Sequence, residues 1–189
     1  MEFLSDLWLP ILLSAVFVFV ASSIIHMALP IHKGDFGKLP NEGSVLSDLR
    51  KHGVPPGQYM FPCAGSMKEM GTPEMIEKMK QGPVGHMTVL PSGPMNIGKN
   101  LVQWFLFSVV VGALVAYVAR PVLPPGSPYL SIFRVTGAAA LLAYGATHAM
   151  NSIWKGQHWG VTGKFFLDGV VYSLVTAGTF GWLWPDAAA

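Results

Sequence analysis

The chain has little charge and only one cysteine. Of its 189 residues, 12% are Asp, Glu, Lys or Arg and the net charge is +2, whereas roughly a quarter of an ordinary soluble domain is charged. The single cysteine, Cys63, excludes an internal disulfide framework and a metal site built from cysteines alone. The low charge excludes a nucleic-acid-binding surface, and the 51% of hydrophobic residues excludes a disordered chain. An integral membrane protein is the class that remains.

The few charged residues avoid four apolar stretches. Residues 7–29, 101–119 and 135–154 contain no Asp, Glu, Lys or Arg, and residues 165–184 contain only Asp168. Each stretch is close to the roughly 20 residues that a bilayer-spanning helix needs. We therefore predict an all-α integral membrane protein built on a bundle of four transmembrane helices. The tryptophans fall near the predicted helix ends, as an aromatic belt requires, at Trp8, Trp104, Trp154, Trp159, Trp182 and Trp184.

This pattern divides the chain into three parts. Residues 1–29 hold transmembrane helix 1, residues 30–100 form an extramembrane loop module, and residues 101–189 hold helices 2–4. In the module we predict a short helix over 45–52 capped by Ser44, a second helix that starts at Thr72-Pro73-Glu74 and ends at Gly82, and strands at 58–61 and 86–90. So small a mixed α/β module buries little core alone. We expect it to lean on the bilayer or on a partner protein.

The distribution of basic residues predicts the orientation. Five lysines flank the helices on the loop side, and two arginines flank them on the side of the termini: Lys33, Lys38, Lys99, Lys155 and Lys164 against Arg120 and Arg134. Basic residues are in excess in cytoplasmic loops. We therefore expect a multi-pass protein of the cell (inner) membrane, with the long loop in the cytoplasm and both termini outside.

Three ionisable residues lie inside the predicted spans, at His26, His148 and Asp168. At 1.5 Å per residue, all three fall within roughly 10 Å of the same membrane face. Intramembrane ionisable groups mark functional sites by default. Because each belongs to a stripe with helical i+4 spacing, we predict that the stripes face inward and that these residues meet. The stripes are Ser14, Val18, Ser22 and His26; Thr136, Ala140, Tyr144, His148 and Ser152; and Asp168, Tyr172 and Thr176, beside the small residues Ser108, Gly112 and Ala116 of helix 2.

Such a cluster suits several chemistries, and the sequence leaves them open. His26, His148 and Asp168 could hold a divalent metal, with His32, Asp35 or His158 as further ligands. His26 and His148 could instead ligate a haem iron. An Asp–His pair could relay protons or bind a quinone headgroup, with Tyr144 and Tyr172 as further cofactor-binding residues on the same stripes. Alternatively, the cluster is a structural network in which a histidine or Lys164 neutralises Asp168.

Two further segments have competing interpretations. The segment 26–35 carries two histidines, a proline and an aspartate across the membrane boundary, and could form a site where the helix ends. We favour a helix stop followed by Lys33 and Lys38 contacting anionic lipid. Seven methionines in the loop module could bind Cu(I) with Cys63 and His86. We favour the alternative, that they fill gaps in packing. The seven are Met60, Met67, Met70, Met75, Met79, Met87 and Met95.

No catalytic motif accompanies these features. Phosphate-binding loops, a Gly-x-Ser-x-Gly elbow and His-Glu-x-x-His are absent from the sequence. We therefore expect a non-enzymatic accessory or assembly subunit of a larger membrane complex, whose partners are lipid and other membrane-protein subunits or further copies of itself, and not nucleic acid. The alternatives are a metal-, haem- or quinone-binding membrane protein and, less favoured, a proton-coupled transporter.

Overall fold

The computed structural model describes residues 2–187, with side chains from residue 4 onwards. In chain order the elements are α1 (Glu2–Asp6), α2 (Trp8–Ser23), α3 (Glu42–Lys51), β1 (Gly57–Phe61), α4 (Met67–Met70), α5 (Pro73–Gln81), β2 (Gly85–Val89), α6 (Ile97–Ala119), α7 (Tyr129–Tyr144), α8 (Ala149–Lys155) and α9 (Trp159–Trp182). A π-helical turn, Ile24–Ala28, extends α2, and 3-10 turns lie at Pro30–His32 and Ala146–His148. The protein is mostly helical, and it divides into two compact units.

The first unit comprises the described parts of 1–35, 96–152 and 157–189. Three of its helical segments, Trp8–Ala28, Ile97–Ala119 and Tyr129–Lys155, are long and apolar enough to cross a membrane. The fourth long helix, α9, has 24 residues but does not belong to this set. Lys164, Asp168 and several Gly, Ser and Thr residues lie in α9. The count of four spans therefore stays a prediction.

The long helices of this unit pack side by side, with α2 against α6 and α9, and α7 against α6 and α9. The stripes face the interior over most of their length, but His26, at the end of the first stripe, is exposed and His148 is only partly buried. Their buried members are Ser14, Val18, Ser22, Ser108, Gly112, Ala116, Thr136, Ala140, Tyr144, Ser152, Asp168, Tyr172 and Thr176. The buried hydroxyls of Ser14, Thr136 and Thr176 donate to carbonyls of their own helices, at 3.0, 2.7 and 2.8 Å. These polar residues are therefore compatible with burial, because their hydrogen bonds are made within one helix.

The closest helix contact joins α9 to the end of α7 at Gly169. A Cβ atom added to Gly169 would lie 2.6 Å from the Gly145 nitrogen and 2.8 Å from the Tyr144 carbonyl carbon. Both are backbone atoms, which cannot rotate away as the end of a side chain can. Only glycine therefore permits the observed separation of α7 and α9 at this level.

The boundaries of two helices, the third and fourth predicted spans, differ from the prediction. The third predicted span, 135–154, is not one continuous α-helix, because the 3-10 turn interrupts it after Gly145. α9 begins at Trp159, not at 165, because the His158 side chain accepts a hydrogen bond from the Gly160 nitrogen at 3.1 Å and caps the helix. Residues that we assigned to a loop therefore form the first turn of α9.

The tryptophans divide into two groups. Trp8, Trp154, Trp159 and Trp182 are exposed, as residues of an aromatic belt would be. The other two turn inward. The Trp104 indole donates to Ser22 Oγ at 2.8 Å, and the Trp184 indole donates to the Pro124 carbonyl at 3.2 Å. Proximity to a helix end therefore did not distinguish a lipid-facing indole from one that joins two elements.

The second unit comprises Phe36–Met95 and Ile153–Gly156. Its strands β1 and β2 form an antiparallel pair in which Gly57 lies opposite Val89 and Phe61 opposite Gly85. α5 starts as predicted, since the Thr72 hydroxyl accepts a hydrogen bond from the Met75 nitrogen at 3.3 Å. It ends before Gly82, whose φ is +62°. Both predicted strands are therefore present, and they flank α4 and α5.

The cap of α3 was predicted incorrectly. The helix begins at Glu42, so Ser44 lies within its first turn and does not precede it. Asn41 takes the capping position with φ 49°, and its carbonyl accepts a hydrogen bond from the Ser44 nitrogen at 2.9 Å. Asparagine adopts this left-handed conformation more readily than most residues. Among the methionines, Met75 of α5 is buried, whereas Met67 and Met95 are exposed.

We predict that Gly169→Ala lowers the stability of the protein. The added methyl group meets backbone of α7, and overpacking of this kind costs about 1–3 kcal/mol. Gly163→Ala is the matched control in the same helix, because a Cβ there meets nothing within 4 Å. The control should be neutral or stabilise by up to about 1 kcal/mol, as alanine does in helices. Thermal unfolding of both variants in detergent measures the difference, and equal unfolding temperatures would contradict the proposed close contact.

Candidate functional site

The polar site of the first unit starts with an irregular turn after α2. In the π turn, the Leu29 nitrogen donates to the Ile24 carbonyl five residues earlier, at 3.2 Å. Leu29 is extended, with φ −95° and ψ 142°, as expected for a residue that precedes proline. The chain then turns back through Pro30–His32, so that the rings of His26 and His32 lie 4.4 Å apart between centroids. Single π turns inside helices are frequent at functional sites.

Both histidines face a carboxylate on α9. His32 Nε2 lies 3.0 Å from Asp168 Oδ2, and His26 Nε2 lies 3.5 Å from the same oxygen. The ligand atoms of the three residues all lie within 4.8 Å of one another. Within the described part of the chain, this is the one group of three or more His, Cys, Asp or Glu residues close enough to share a metal ion. We call His26, His32 and Asp168 the His–His–Asp cluster.

A second carboxylate, that of Asp35, contacts His32 on the ring nitrogen that faces away from Asp168. Asp35 Oδ2 lies 2.6 Å from His32 Nδ1, and Asp35 Oδ1 accepts a hydrogen bond of 2.6 Å from Lys164 Nζ. The Asp35 side chain is only 3% exposed. The hydrogen bond from the Lys164 ammonium, with a second from His32, holds the pKa of Asp35 below its ordinary value. Asp35 is therefore ionised at neutral pH, and it favours the His32 tautomer that carries its proton on Nδ1.

In that tautomer His32 Nε2 carries no proton, and its lone pair faces an oxygen of the Asp168 carboxylate. Neither His32 Nε2 nor Asp168 Oδ2 has a hydrogen-bond partner among the described residues, although they are 3.0 Å apart. The side chains of His32 and Asp168 are 12% and 7% exposed, so little solvent reaches them. With neutral imidazoles, the two carboxylates and the Lys164 ammonium leave one net negative charge. Burying a net charge or an unpaired polar atom costs free energy. A cation bound at the cluster would neutralise the charge and coordinate the unpaired atoms.

A cavity of about 510 Å³ adjoins the cluster. His26 and Asp168 line it, together with five aromatic side chains: Trp104, Phe107, Tyr144, Phe165 and Tyr172. The Tyr144 and Tyr172 rings meet edge to face, with centroids 5.6 Å apart, and the Trp104 ring lies 5.8 Å from Tyr172. We call this space the aromatic cavity. Its volume lies in the range of about 300–1,000 Å³ that is typical of small-molecule sites.

The structure separates the residues that the sequence analysis grouped together. It brings His26 and Asp168 together, but His148 stacks on Phe165, with centroids 5.1 Å apart, and is not in the cluster. His148, Tyr144 and Tyr172 line the aromatic cavity instead. His158, considered as a further ligand, caps α9.

Sequence reasoning placed three functional residues in minor roles. His32 and Asp35 were considered as further ligands and as part of segment 26–35, for which we favoured a helix stop over a site. Lys164 was considered as a neutralising partner of Asp168. The structure pairs Lys164 with Asp35. The signal available in the sequence was Pro30 between His26 and His32, because a proline stop followed by a tight turn can return the second histidine to the first.

Comparison with known proteins gives no relative from which to transfer a function. No protein-family model, no curated protein and no solved structure matches this chain.

We predict that Lys164→Met lowers the unfolding temperature, because it leaves the enclosed Asp35 carboxylate without its ammonium partner. Lys155→Met is the matched control, since Lys155 is exposed. The double variant Lys164→Met/Asp35→Asn should be less destabilised than the sum of the two single variants, because neighbouring partners are not additive. A double-mutant cycle measured by thermal unfolding tests this, and strict additivity would contradict the pairing.

Proposed function

We propose that this protein is an integral membrane protein that binds a divalent transition-metal ion at His26, His32 and Asp168. The observation that carries the proposal is the His–His–Asp cluster itself, with two ring nitrogens and a carboxylate oxygen within 4.8 Å of one another. Its buried atoms His32 Nε2 and Asp168 Oδ2 lack hydrogen-bond partners among the residues described.

The outer faces of the helices support membrane residence. Only 28–33% of the residues in the most apolar window of each of the three long segments are buried inside the protein. Many of the outward side chains are large and apolar, including Phe17, Val20, Leu106, Val110 and Leu114. Water-soluble monomers rarely expose contiguous apolar surfaces of this extent. We place α9 across the bilayer as the fourth span, since its polar residues turn toward the other helices.

The donor set suits a transition metal. Two imidazoles and one carboxylate are ligands of catalytic zinc and of non-haem Fe²⁺. Ligand atoms at about 2.0–2.2 Å from one tetrahedral ion lie roughly 3.4 Å apart. The two N–O distances of 3.0 and 3.5 Å bracket that separation, and the two imidazole nitrogens lie within 4.8 Å of each other. The His32 contact with Asp35 is also the arrangement in which a carboxylate orients a metal-binding imidazole.

Three protein ligands leave coordination positions open. A divalent ion bound there would act as a Lewis acid toward a polar group of a neighbouring molecule. His26 and Asp168 line the aromatic cavity, so a molecule in the cavity lies next to the cluster. Asp35 fixes the tautomer of His32, and Lys164 keeps Asp35 ionised. These residues therefore prepare the cluster for a cation.

The role of an accessory or assembly subunit stays a prediction. It is compatible with metal binding, because a membrane subunit can contribute a metal site to a larger complex. A proton relay is the second candidate, since protonation of an imidazole would also neutralise the net negative charge of the cluster. The haem interpretation stays a prediction that the absorption spectrum of the same sample checks.

We predict that the protein purified from membranes contains about one equivalent of a divalent transition metal, measured by elemental analysis. His32→Gln and Asp168→Asn should lose the metal, because each removes one of three ligands. Asp35→Asn should weaken binding by about 10–100-fold, as loss of an orienting partner does. His86→Gln, in the exposed β2 strand, and His148→Gln should retain the metal.

Chelation separates loss of metal from loss of folding. Removing the ion should lower the unfolding temperature of the wild type but not that of His32→Gln, because a ligand stabilises only the state that binds it. If the wild type takes up none of Zn²⁺, Fe²⁺, Mn²⁺ or Co²⁺, the metal proposal is wrong. In that case, a higher unfolding temperature of Asp168→Asn would indicate that the Asp168 carboxylate is not neutralised in the wild type. That result would favour the proton relay.

The proposed topology places the loop module in the cytoplasm of a cell with an inner membrane. Cys63 is the only cysteine and is exposed. We predict that a membrane-impermeant maleimide leaves Cys63 unlabelled in intact spheroplasts and labels it after lysis. A Cys63→Ser variant with Ser5→Cys near the amino terminus should already be labelled in intact spheroplasts. Labelling of Cys63 in intact cells would overturn the orientation.

A further inference from the structure

The aromatic cavity contains a buried hydroxyl without a partner. Tyr172 is 4% exposed, and its hydroxyl has no hydrogen-bond partner in the described part of the chain. Buried polar groups are nearly always hydrogen-bonded. We therefore expect an unpaired hydroxyl in a cavity to bind a polar atom of a ligand. The hydroxyl of Tyr172 can donate to a carbonyl oxygen or accept from a hydroxyl group.

The walls of the cavity favour a flat ring. Trp104, Tyr144 and Tyr172 contact one another edge to face or at a tilt, with centroids 5.6–6.1 Å apart. Phe165 adds another aromatic wall. Aromatic walls of this kind bind planar rings by stacking and edge contacts.

The charge of the cavity favours an uncharged headgroup. Of the described residues that line it, none is Lys or Arg, and Asp168 contributes a carboxylate. A carboxylate or phosphate headgroup would therefore meet no lysine or arginine side chain there, and it would lie beside the Asp168 carboxylate. The polar side chains that remain, among them Asn100 and His148, can form hydrogen bonds with a neutral ring substituent.

The cavity reaches the apolar surface of the first unit. Its lining includes Met27 in the π turn and Ile97 at the start of α6, which are 82% and 63% exposed. Both lie in segments apolar enough to span a membrane. A ligand whose ring sits beside Tyr172 can therefore extend an apolar tail between these residues toward lipid.

We propose that the aromatic cavity binds a quinone or hydroquinone that carries an apolar tail, with an oxygen of its ring hydrogen-bonded to the Tyr172 hydroxyl. This inference goes beyond metal binding and does not depend on it, because Tyr172 and the aromatic walls are not ligands of the His–His–Asp cluster. His32 belongs to the cluster but does not line the cavity. The two proposals can therefore fail separately.

The test is a titration of the whole protein in nanodiscs with a decyl-substituted benzoquinone, followed by tryptophan fluorescence and by bound quinone after gel filtration. We expect saturable binding near one equivalent. Tyr172→Phe should weaken it roughly tenfold, as loss of one hydrogen bond predicts. Ala143→Phe, which fills the cavity from α7, should abolish it. Tyr129→Phe is the hydroxyl-deletion control outside the cavity and should bind like the wild type.

His32→Gln should retain quinone binding even where it loses the metal, which separates failure of this inference from failure of the metal proposal. Equal quinone uptake by the wild type and Ala143→Phe would show partition into lipid and overturn the inference. Saturable binding of dodecanoate or dodecyltrimethylammonium in place of the quinone, with the same loss in Ala143→Phe, would also overturn it. An unchanged unfolding temperature in Tyr172→Phe is expected, because its hydroxyl has no protein partner to lose.

Discussion

The carboxylate of Asp168 is the constraint around which this end of the helical unit is organised. Removing a carboxylate from water is costly unless cations or hydrogen-bond donors meet it, and Asp168 is nearly enclosed by α9 and its neighbours. The two imidazoles that approach it come from the π turn and the 3-10 turn after α2. Because His32 is itself held by Asp35, and Asp35 by Lys164 of α9, the chain of polar contacts returns to the helix on which it began.

A close contact between two helices lies next to Asp168, near the turn that carries the histidine outside the cluster. Gly169, next to Asp168, allows α9 to approach α7 backbone to backbone at Gly145. α7 ends there, and the chain continues as a 3-10 turn that carries His148. His148 stacks on Phe165, while His26 and His32 reach the carboxylate. A close glycine contact and a charged site therefore lie side by side on α9.

Adjacent metal and quinone sites would have complementary chemistry. The cluster offers nitrogen and oxygen donors, and the aromatic cavity offers apolar walls and, among the described residues, one unpaired tyrosine hydroxyl. His26 and Asp168 belong to both. A membrane subunit with this arrangement could present a lipid-soluble ring to a metal ion without exposing either to bulk water.

Local sequence patterns were enough to predict the inward faces of the helices, the two short strands and the start and end of α5, because periodicity and capping residues act over a few neighbouring positions. They also indicated that His26 and Asp168 lie at one level. Three contacts became visible only in the folded chain: His32 and Asp35 complete the site, Lys164 pairs with Asp35, and Trp104 faces Ser22. These contacts join residues that are far apart in the chain or that follow its reversal at Pro30. Helical periodicity predicts neighbours only within one helix, so it could not predict these contacts.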